Sequence, residues 1–489
     1  MNAPELLDLV ARLNAGHQPV YLVGGAVRDQ ELGREPHDLD FTGQGDLRPL
    51  AAALANRLGG GLFALDEERG TYRVVLEGGR MVVDFASLRG RDLQADLAAR
   101  DFTINAMARD AAAREKLIDP LGGRLDLERK LLRACSTSAF MDDPARTLRA
   151  ARMSVGLGLA IEPETRAWLS AAVPLLPRVS AERMRDELCR MLESGQAAAC
   201  LRLLDRLGLA RNLLPELEAL KGVDQSSPHV YPVWEHTLMV VEKLDLLWQA
   251  LVDPGRMDPF PGEVLATAGE YLSAFSARLR EHFGERIVPG RSVRALVFFA
   301  ALYHDCAKPM TRSIDADGRI RVFEHEKMGA NLAAARARAL AFSSEEVARV
   351  GAVIAGHMRV HHLTQTGRQP SARAIYRFFR DTSRAGVDIC LHTLADTWGT
   401  YDHTLPLSHW REELEVCRTL LKARWERTAE VIDPPRLVDG NQLMRALDLL
   451  PGVMVGRLLE AIREAQVDGE ITTQAEALEY ARQEFENLV

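Results

Sequence analysis

Six cysteines are scattered through 489 residues, and no two of them stand in a C-x-x-C pair. That spacing suits reduced thiols in a cytosol and argues against a disulfide framework or a zinc knuckle. Long apolar runs are also missing. The most apolar stretch, Ala295–Tyr303, is about half of the ~20 residues that a membrane span needs. The opening MNAPELLDLVARLNAG places no basic region ahead of an apolar one, so it does not read as a signal peptide. A soluble, cytoplasmic protein with no membrane partner is expected. There is no basic excess either: 61 Lys and Arg against 69 Asp and Glu leave a net charge of −8. A nucleic-acid partner must then be gripped by local basic surface, because the whole chain repels phosphate. With 47% hydrophobic and 27% charged residues, disorder and low complexity are excluded. The length exceeds what one core can organise and suggests three or four domains.

Leu6, Leu7, Val10 and Leu13 recur at helical spacing and predict an opening amphipathic helix. PVYLVGG (19–25) reads as a buried strand ending in a tight turn, AVRDQEL as a helix, and DLDFTG as a second strand. TYRVVLE and RMVVDFASL, joined by Gly78-Gly79, predict a hairpin. The first stretch is therefore α/β. From about residue 140 the period becomes 3.6 almost everywhere, with breaks near Pro163, Pro174–Pro177 and Pro215. Residues 221–232 (KGVDQSSPHVYP) are polar and aperiodic, which suits a linker or a functional loop. A further helical module holds most of the histidines, with 253–264 (DPGRMDPFPGEV) as a surface insertion. Pro434-Pro435 precedes a last helical unit, with Gly440, Pro451-Gly452 and Gly456 at its turns. The expected division is 1–137, 138–220, 221–410 and 411–489.

Chemistry concentrates first at Val23-Gly24-Gly25, which twelve intervening residues separate from Asp38-Leu39-Asp40-Phe41. Two aspartates separated by one residue on a strand share a face. Such a pair can hold two divalent cations ~4 Å apart, the clamp used in phosphoryl transfer. Gly24 and Gly25 let backbone approach a triphosphate closely, and Asp84 on the neighbouring hairpin offers a third carboxylate. YLVGGAVRDQELGREPHDLDF resembles the first motif of class II tRNA nucleotidyltransferases and bacterial poly(A) polymerases, within the DNA polymerase β superfamily. The resemblance continues through ARDFTINAMARD (99–110), LIDPLGG (117–123), DDPARTLRAARMS (142–154) and VSAERMRDEL (179–188), in the family order.

This resemblance implies an α+β protein: a polymerase-β-like nucleotidyltransferase head with a mixed sheet, an all-α neck, an HD-type helical domain and a helical tail. It implies magnesium on Asp38 and Asp40, with Asp84 as third acid, and the triphosphate near Gly24, Gly25 and Arg28. Arg100, Asp101 and Asn105 match the segment that meets the ribose. Asp143, Arg146, Arg149 and Arg152 match the helix that reads the incoming base and phosphates. Asp143 and Arg146 stand at i and i+3, neighbours on a helix face. A carboxylate accepts from an exocyclic amino group and a guanidinium donates to a ring acceptor, so the pair can imitate a template for C or A. Asp143-Pro144 also reads as a helix start. Two departures from the family stand out. Asp142 occupies a place where Glu is usual, shortening the support for Arg146 by one methylene. Only residues 90–99 separate Arg89 from Arg100, where enzymes that build all of CCA carry a longer flexible segment. The expectation is partial activity, CC-adding or A-adding, using CTP and/or ATP on tRNA. A poly(A) polymerase is the alternative.

A second set comprises His236, His304-Asp305, His325, His357 and Asp396. Neutral imidazoles and carboxylates on helices suit a divalent metal. The order resembles the HD phosphohydrolase superfamily, including Lys308 after the His-Asp pair. It implies His236, His304, Asp305 and Asp396 as primary ligands of a transition metal or magnesium, with His325 and His357 for a second ion. The substrates implied are 2′,3′-cyclic phosphates, 2′-nucleotides or phosphate-terminated RNA. His361, His362, His392 and His403 are read as structural. An alternative of another class is an inactive RNA-binding head beside an active HD site. Arg124, Arg129, Lys130, Arg133, Arg178, Arg183, Arg185 and Arg190 could grip the tRNA acceptor stem by its backbone. They could equally be helix faces paired with Glu128, Glu182 and Glu187.

Overall fold

The computed structural model describes residues 3–36, 38–76, 81–253, 262–316 and 320–488. The chain divides into two compact units, Met1–Glu187 with Leu203–Leu213, and Leu188–Arg202 with Leu214–Val489.

In the first unit, Val20–Val23 (β1), Asp38–Gly43 (β2), Gly61–Asp66 (β3), Thr71–Leu76 (β4), Met81–Ser87 (β5), Ala108–Asp110 (β6) and Leu117–Ile118 (β7) form one sheet. The strand order is β3-β4-β5-β2-β1-β6-β7. Only the β2–β5 pair is parallel; the other neighbours run antiparallel. The period of two decides what each face carries. Leu39 and Phe41 of β2 and Val83 and Phe85 of β5 are buried, and the two Phe rings stack with centroids 5.3 Å apart. Burying each contributes about 1.5–3 kcal/mol. The intervening Asp38, Asp40 and Asp84 are thereby forced onto the opposite face.

The expected hairpin is present as β4–β5, while its turn, Gly78-Gly79, lies outside the described residues. Strand β3 was not expected from the sequence. It is an edge strand whose residues are mostly exposed, so GLFALD shows no inside-outside alternation. Residues 90–99, expected as a short loop, instead contain the helix Leu93–Ala98, capped by Asp92 accepting from the Ala95 N–H. The helices that follow include Ala145–Leu157, flanked by two short strands that pair in parallel, Leu131–Leu132 (β8) before it and Ala160–Ile161 (β9) after it.

The second unit is helical. Val233–Leu251 and Ala385–Tyr401 pack so closely that a Cβ on Gly399 would lie 2.9 Å from the Val240 side chain. The apolar run noted above, Ala295–Tyr303, is buried throughout within the helix Val293–Tyr303, and no helix among the described residues is long and apolar enough to cross a membrane. One hairpin, Arg312–Ile314 (β10) with Ile320–Val322 (β11), interrupts the helical pattern. Most of the insertion at 253–264 lies outside the described residues. Gly440–Leu447, Val453–Val467 and Gln474–Leu488 share their own apolar cluster around Leu443, Leu458 and Ile462. Gly440 opens the first of these helices and Gly452 precedes the second. Gly456, expected at a turn, lies inside the helix Val453–Val467, where its neighbours' 3.6 periodicity carries the chain through.

Candidate active site

Three carboxylates meet at the centre of the sheet. The register sets Asp40 beside Asp84 on one side and beside Val23 on the other. Gly24 follows directly, with φ +74°, and a Cβ there would sit 3.2 Å from Asp40 Oδ2 and 3.3 Å from Arg100 Nη1. The left-handed φ favours glycine, and any Cβ would press on both side chains. Asp84 accepts a two-pronged ion pair from Arg73, at 2.8 and 2.7 Å. Burial, with the charges of Asp84 and Asp38, pushes the Asp40 carboxyl up from 3.8 to about 6, against the pull of Arg100 and Arg73. Hard oxygen donors beside one another in this way could hold a divalent cation.

The sign of the pH effect follows. An acid raised on folding stabilises the ion-free protein at low pH, and that contribution is lost as pH rises through about 6. A divalent ion must displace the same proton. The rise in Tm caused by magnesium is therefore expected to be larger at pH 8 than at pH 5, measured by scanning fluorimetry. An ion effect that ignores pH would contradict this assignment.

The other motif residues form a connected network. Arg28 donates to Asp29 and, through Nη1 at 2.8 Å, to Asn105 Oδ1. Asn105 donates to Asp101, which also accepts from the Phe102 N–H and from Arg149 at 3.0 Å. Burial pushes Asp101 up, but Arg149 and these donors outweigh it and hold the carboxyl below its usual range. Arg149 and Arg152 both reach the buried Glu187. These two arginines, expected to meet nucleotide, are thus engaged by carboxylates on their inner side.

Arg100 is fastened to Asp96 at 3.1 and 2.9 Å. Asp96 is buried and also accepts from the Arg89 N–H, at 2.9 Å. Arg146 donates to the carbonyls of Ala99, Arg100 and Ala139. Asp142 does not support Arg146; its shorter side chain is exposed and accepts from Ser138. Asp143 pairs with Arg183 at 2.7 Å, lies 3.7 Å from Arg146, and accepts from the Ala145 N–H at 3.3 Å. It thus serves the helix start and a guanidinium pair together. Against the upward push of burial, Arg183 and Arg146 hold it below its usual range.

The second unit brings its histidines and aspartates together. Among His236 Nε2, His304 Nε2, Asp305 Oδ2 and Asp396 Oδ1, the imidazole–imidazole and imidazole–carboxylate separations are 3.1–3.6 Å. Four ligands at ~2.1 Å around a tetrahedral ion would be separated by about 3.4 Å. Asp305 turns its other oxygen to His325 Nε2 at 3.5 Å, and His325 Nε2 is 3.3 Å from His357 Nε2. One carboxylate therefore faces both groups of potential ligands. The carbonyls of Ala301 and Ile354 accept from Nδ1 of His304 and His357, at 2.7 and 2.6 Å, which aims Nε2 at the cluster. Burial opposes charge on His304, yet Asp305 and Asp396 push it up to about 10. Burial and neighbouring histidines keep His357 well below its usual value. A proton on His304 stands in the place a cation would take.

Two segments of the chain match known family profiles: residues 20–133 the poly A polymerase head domain, and residues 158–221 the probable RNA and SrmB-binding site of polymerase A. A CC-adding tRNA nucleotidyltransferase of Thermus thermophilus is 35% identical over 465 residues, 93% of this chain and 91% of that one. The chain belongs to the tRNA nucleotidyltransferase family. Other relatives are a CC-adding tRNA nucleotidyltransferase of Geobacter sulfurreducens, 31% identical over 98% of this chain and 94% of that one, and an A-adding one of Deinococcus radiodurans, 32% identical over 93% of each. Among solved structures, a CCA-adding enzyme in complex with ATP shares the fold at TM-score 0.61 and 23% identity, covering 99% of this chain and 96% of that one. The family uses divalent metal ions.

In this tRNA nucleotidyltransferase several residues at the sites were not anticipated. His361 stands between Asp396 (3.2 Å) and the buried Glu413 (2.6 Å), and those carboxylates push it up to about 10 against burial. His392 is buried, with its ring centroid 5.0 Å from His304 and neither nitrogen hydrogen-bonded among the described residues. His361 was legible, since it stands one helical turn beyond His357, which caps the helix Met358–Gln365. Arg73 was legible too, opposite Asp84 in the hairpin. Of the proposed RNA-binding cations, Arg133 pairs with Asp126 at 2.7 Å and Arg124 lies 3.5 Å from both Glu31 and Glu128. Ion pairs with carboxylates account for those two.

Proposed function

We propose that this tRNA nucleotidyltransferase adds cytidylates to the tRNA 3′ end and leaves the terminal adenylate to a second enzyme. The observation that carries this reading is the fastening of residues 89–100. Asp96 holds both ends of the segment, its middle is a capped helix, and Arg146 grips its last two carbonyls. A segment bonded at so many points is suited to serving one base class. Cytosine presents one amino donor and two acceptors, matching a carboxylate and a guanidinium such as Asp143 with Arg146 or Arg183. The Thermus and Geobacter relatives are CC-adding; the Deinococcus relative, which is A-adding, sets the competing outcome.

Asp38, Asp40 and Asp84 would hold magnesium, which when bound lowers the pKa of the RNA 3′-hydroxyl and neutralises the leaving pyrophosphate. Gly24 and Gly25 bring backbone to the triphosphate beside Arg28. Arg100, Asp101 and Asn105 meet the ribose. The division into head, neck, HD-type domain and tail at 137, 220 and 410 belongs to the same reading, as does a cytoplasmic location. The histidine–aspartate cluster would act as a metal-dependent phosphohydrolase on RNA-derived phosphates. Hydrolysis there adds a water oxygen to phosphorus and returns a proton to the departing ribose oxygen.

The test is stepwise. On tRNA lacking CCA, with CTP and ATP together, two cytidylates and no adenylate are expected, and tRNA ending in CC stays unextended. Adenylate on the CC end would replace this reading with A addition or full CCA synthesis. Runs of adenylate on an oligo(A) primer would replace it with poly(A) polymerase.

A further inference from the structure

Asp40 and Asp84 belong to a row of side chains that crosses the sheet of the first unit. The register sets Val23 (β1) beside Asp40 (β2), Asp40 beside Asp84 (β5), Asp84 beside Arg73 (β4) and Arg73 beside Phe63 (β3). Residues paired in this way point to one face of a sheet. Phe63 therefore stands on the face that carries the carboxylates, two strands beyond Asp84 and ~10 Å from it. The two ends of the row differ. Val23 is 1% exposed and closed in by Leu97 and Ala106, whereas Phe63 is 55% exposed on the edge strand.

We propose that Phe63 is the platform on which the 3′-terminal base of the tRNA stacks while its hydroxyl is extended. This rests on the reading of Asp38, Asp40 and Asp84 as the catalytic carboxylates. Attack and departure at phosphorus are in line. Pyrophosphate departs towards Gly24, Gly25 and Arg28, which follow β1, so the attacking hydroxyl arrives from the opposite side, over β5, β4 and β3. A nucleotide whose 3′-oxygen sits at Asp84 carries its base past Arg73 to Phe63.

The outer end of the row suits a base and not a phosphate. Arg73 is the one cation in the row, and both its prongs already meet Asp84, at 2.8 and 2.7 Å. The turn after β3 adds Asp66, Glu67 and Glu68, against Arg69 alone, which lies 3.5 Å from Asp66. Acidic surface of this kind repels phosphate and leaves the neutral ring as the attraction. The ring leans along its strand over Gly61, where a Cβ would come within 2.9 Å of it. Leu65, 49% exposed where the β3–β4 register shifts, widens the apolar surface. Single-stranded RNA ends are held in this manner, with bases stacked on aromatic rings. Every base has a face to stack, so one platform serves the successive ends that arise as nucleotides are added.

The test combines two changes in full-length protein and tRNA lacking CCA: Phe63→Ala, and removal of the terminal base from the tRNA. Each alone is expected to raise the KM for tRNA about tenfold, with kcat and the KM for CTP unchanged. Together they should raise it no further, because both break the same contact. Phe63→Trp should restore the wild-type KM, and Phe63→Leu should not. A KM within about twofold of wild type in Phe63→Ala, multiplying losses, or rescue by Leu equal to that by Trp overturns the platform. An unchanged KM with an altered oligomeric state in Phe63→Ala, read by light scattering, also overturns it and assigns the edge strand to a second copy of the chain. If the wild type extends no tRNA, the catalytic reading fails by itself, and the platform is judged by filter binding. A preference for the intact over the abasic end that disappears in Phe63→Ala sustains it, and equal affinity of the wild type for the two ends overturns it.

Discussion

Asp38→Ala is expected to lower cytidylate incorporation about a thousandfold or more, the scale of losing several kcal/mol of metal-borne charge stabilisation. Asp38 is exposed at the start of its strand, so its removal strands no buried partner and the fold should persist. Incorporation of labelled CMP into tRNA lacking CCA measures the loss. Hydrolysis of 2′,3′-cyclic AMP by the same preparation should continue, because the cluster of the second unit is built from other residues. Incorporation within tenfold of wild type would remove Asp38 from the reaction. Loss of both activities would indicate misfolding or a shared site.

The converse variant is Asp305→Asn. Asp305 faces His236 and His304 with one oxygen and His325 with the other, so a neutral amide weakens both ligand groups together. Bound divalent metal, counted by plasma mass spectrometry, should fall below detection at this cluster, and cyclic phosphate hydrolysis about a thousandfold with it. Stability should fall as well, since a buried ammonium, Lys308, loses its charged partner. Cytidylate addition should stay within about twofold. Full metal content in the variant would refute the ligand assignment.

Much of both sites could be read before any coordinates, for a definable reason. Strand alternation is geometric, so Asp38 and Asp40 had to share a face once DLDFTG was read as a strand, and the burial of Leu39 and Phe41 agrees. The Gly78-Gly79 turn likewise implied the register that pairs Arg73 with Asp84, a consequence overlooked at the sequence level. Strand β3 carried no such signal, because an edge strand with exposed residues needs no periodicity. Residues 90–99 looked like a spacer because Asp96 shows its importance only through what it binds. Its partners, Arg89 and Arg100, are near in sequence, but nothing in a carboxylate four residues before an arginine separates a solvent-facing pair from a buried clamp. Glu413 was invisible for a related reason: its partner His361 stands on another helix, 52 residues earlier.

The chain of contacts from Arg28 through Asn105, Asp101 and Arg149 to Glu187 and Arg152 bears on how such a protein can drift over generations. Every member has its counterpart inside the same string, so a lone exchange leaves a desolvated neighbour without company. Descendants of this sequence should therefore inherit these positions as a block, or change them in matched couples.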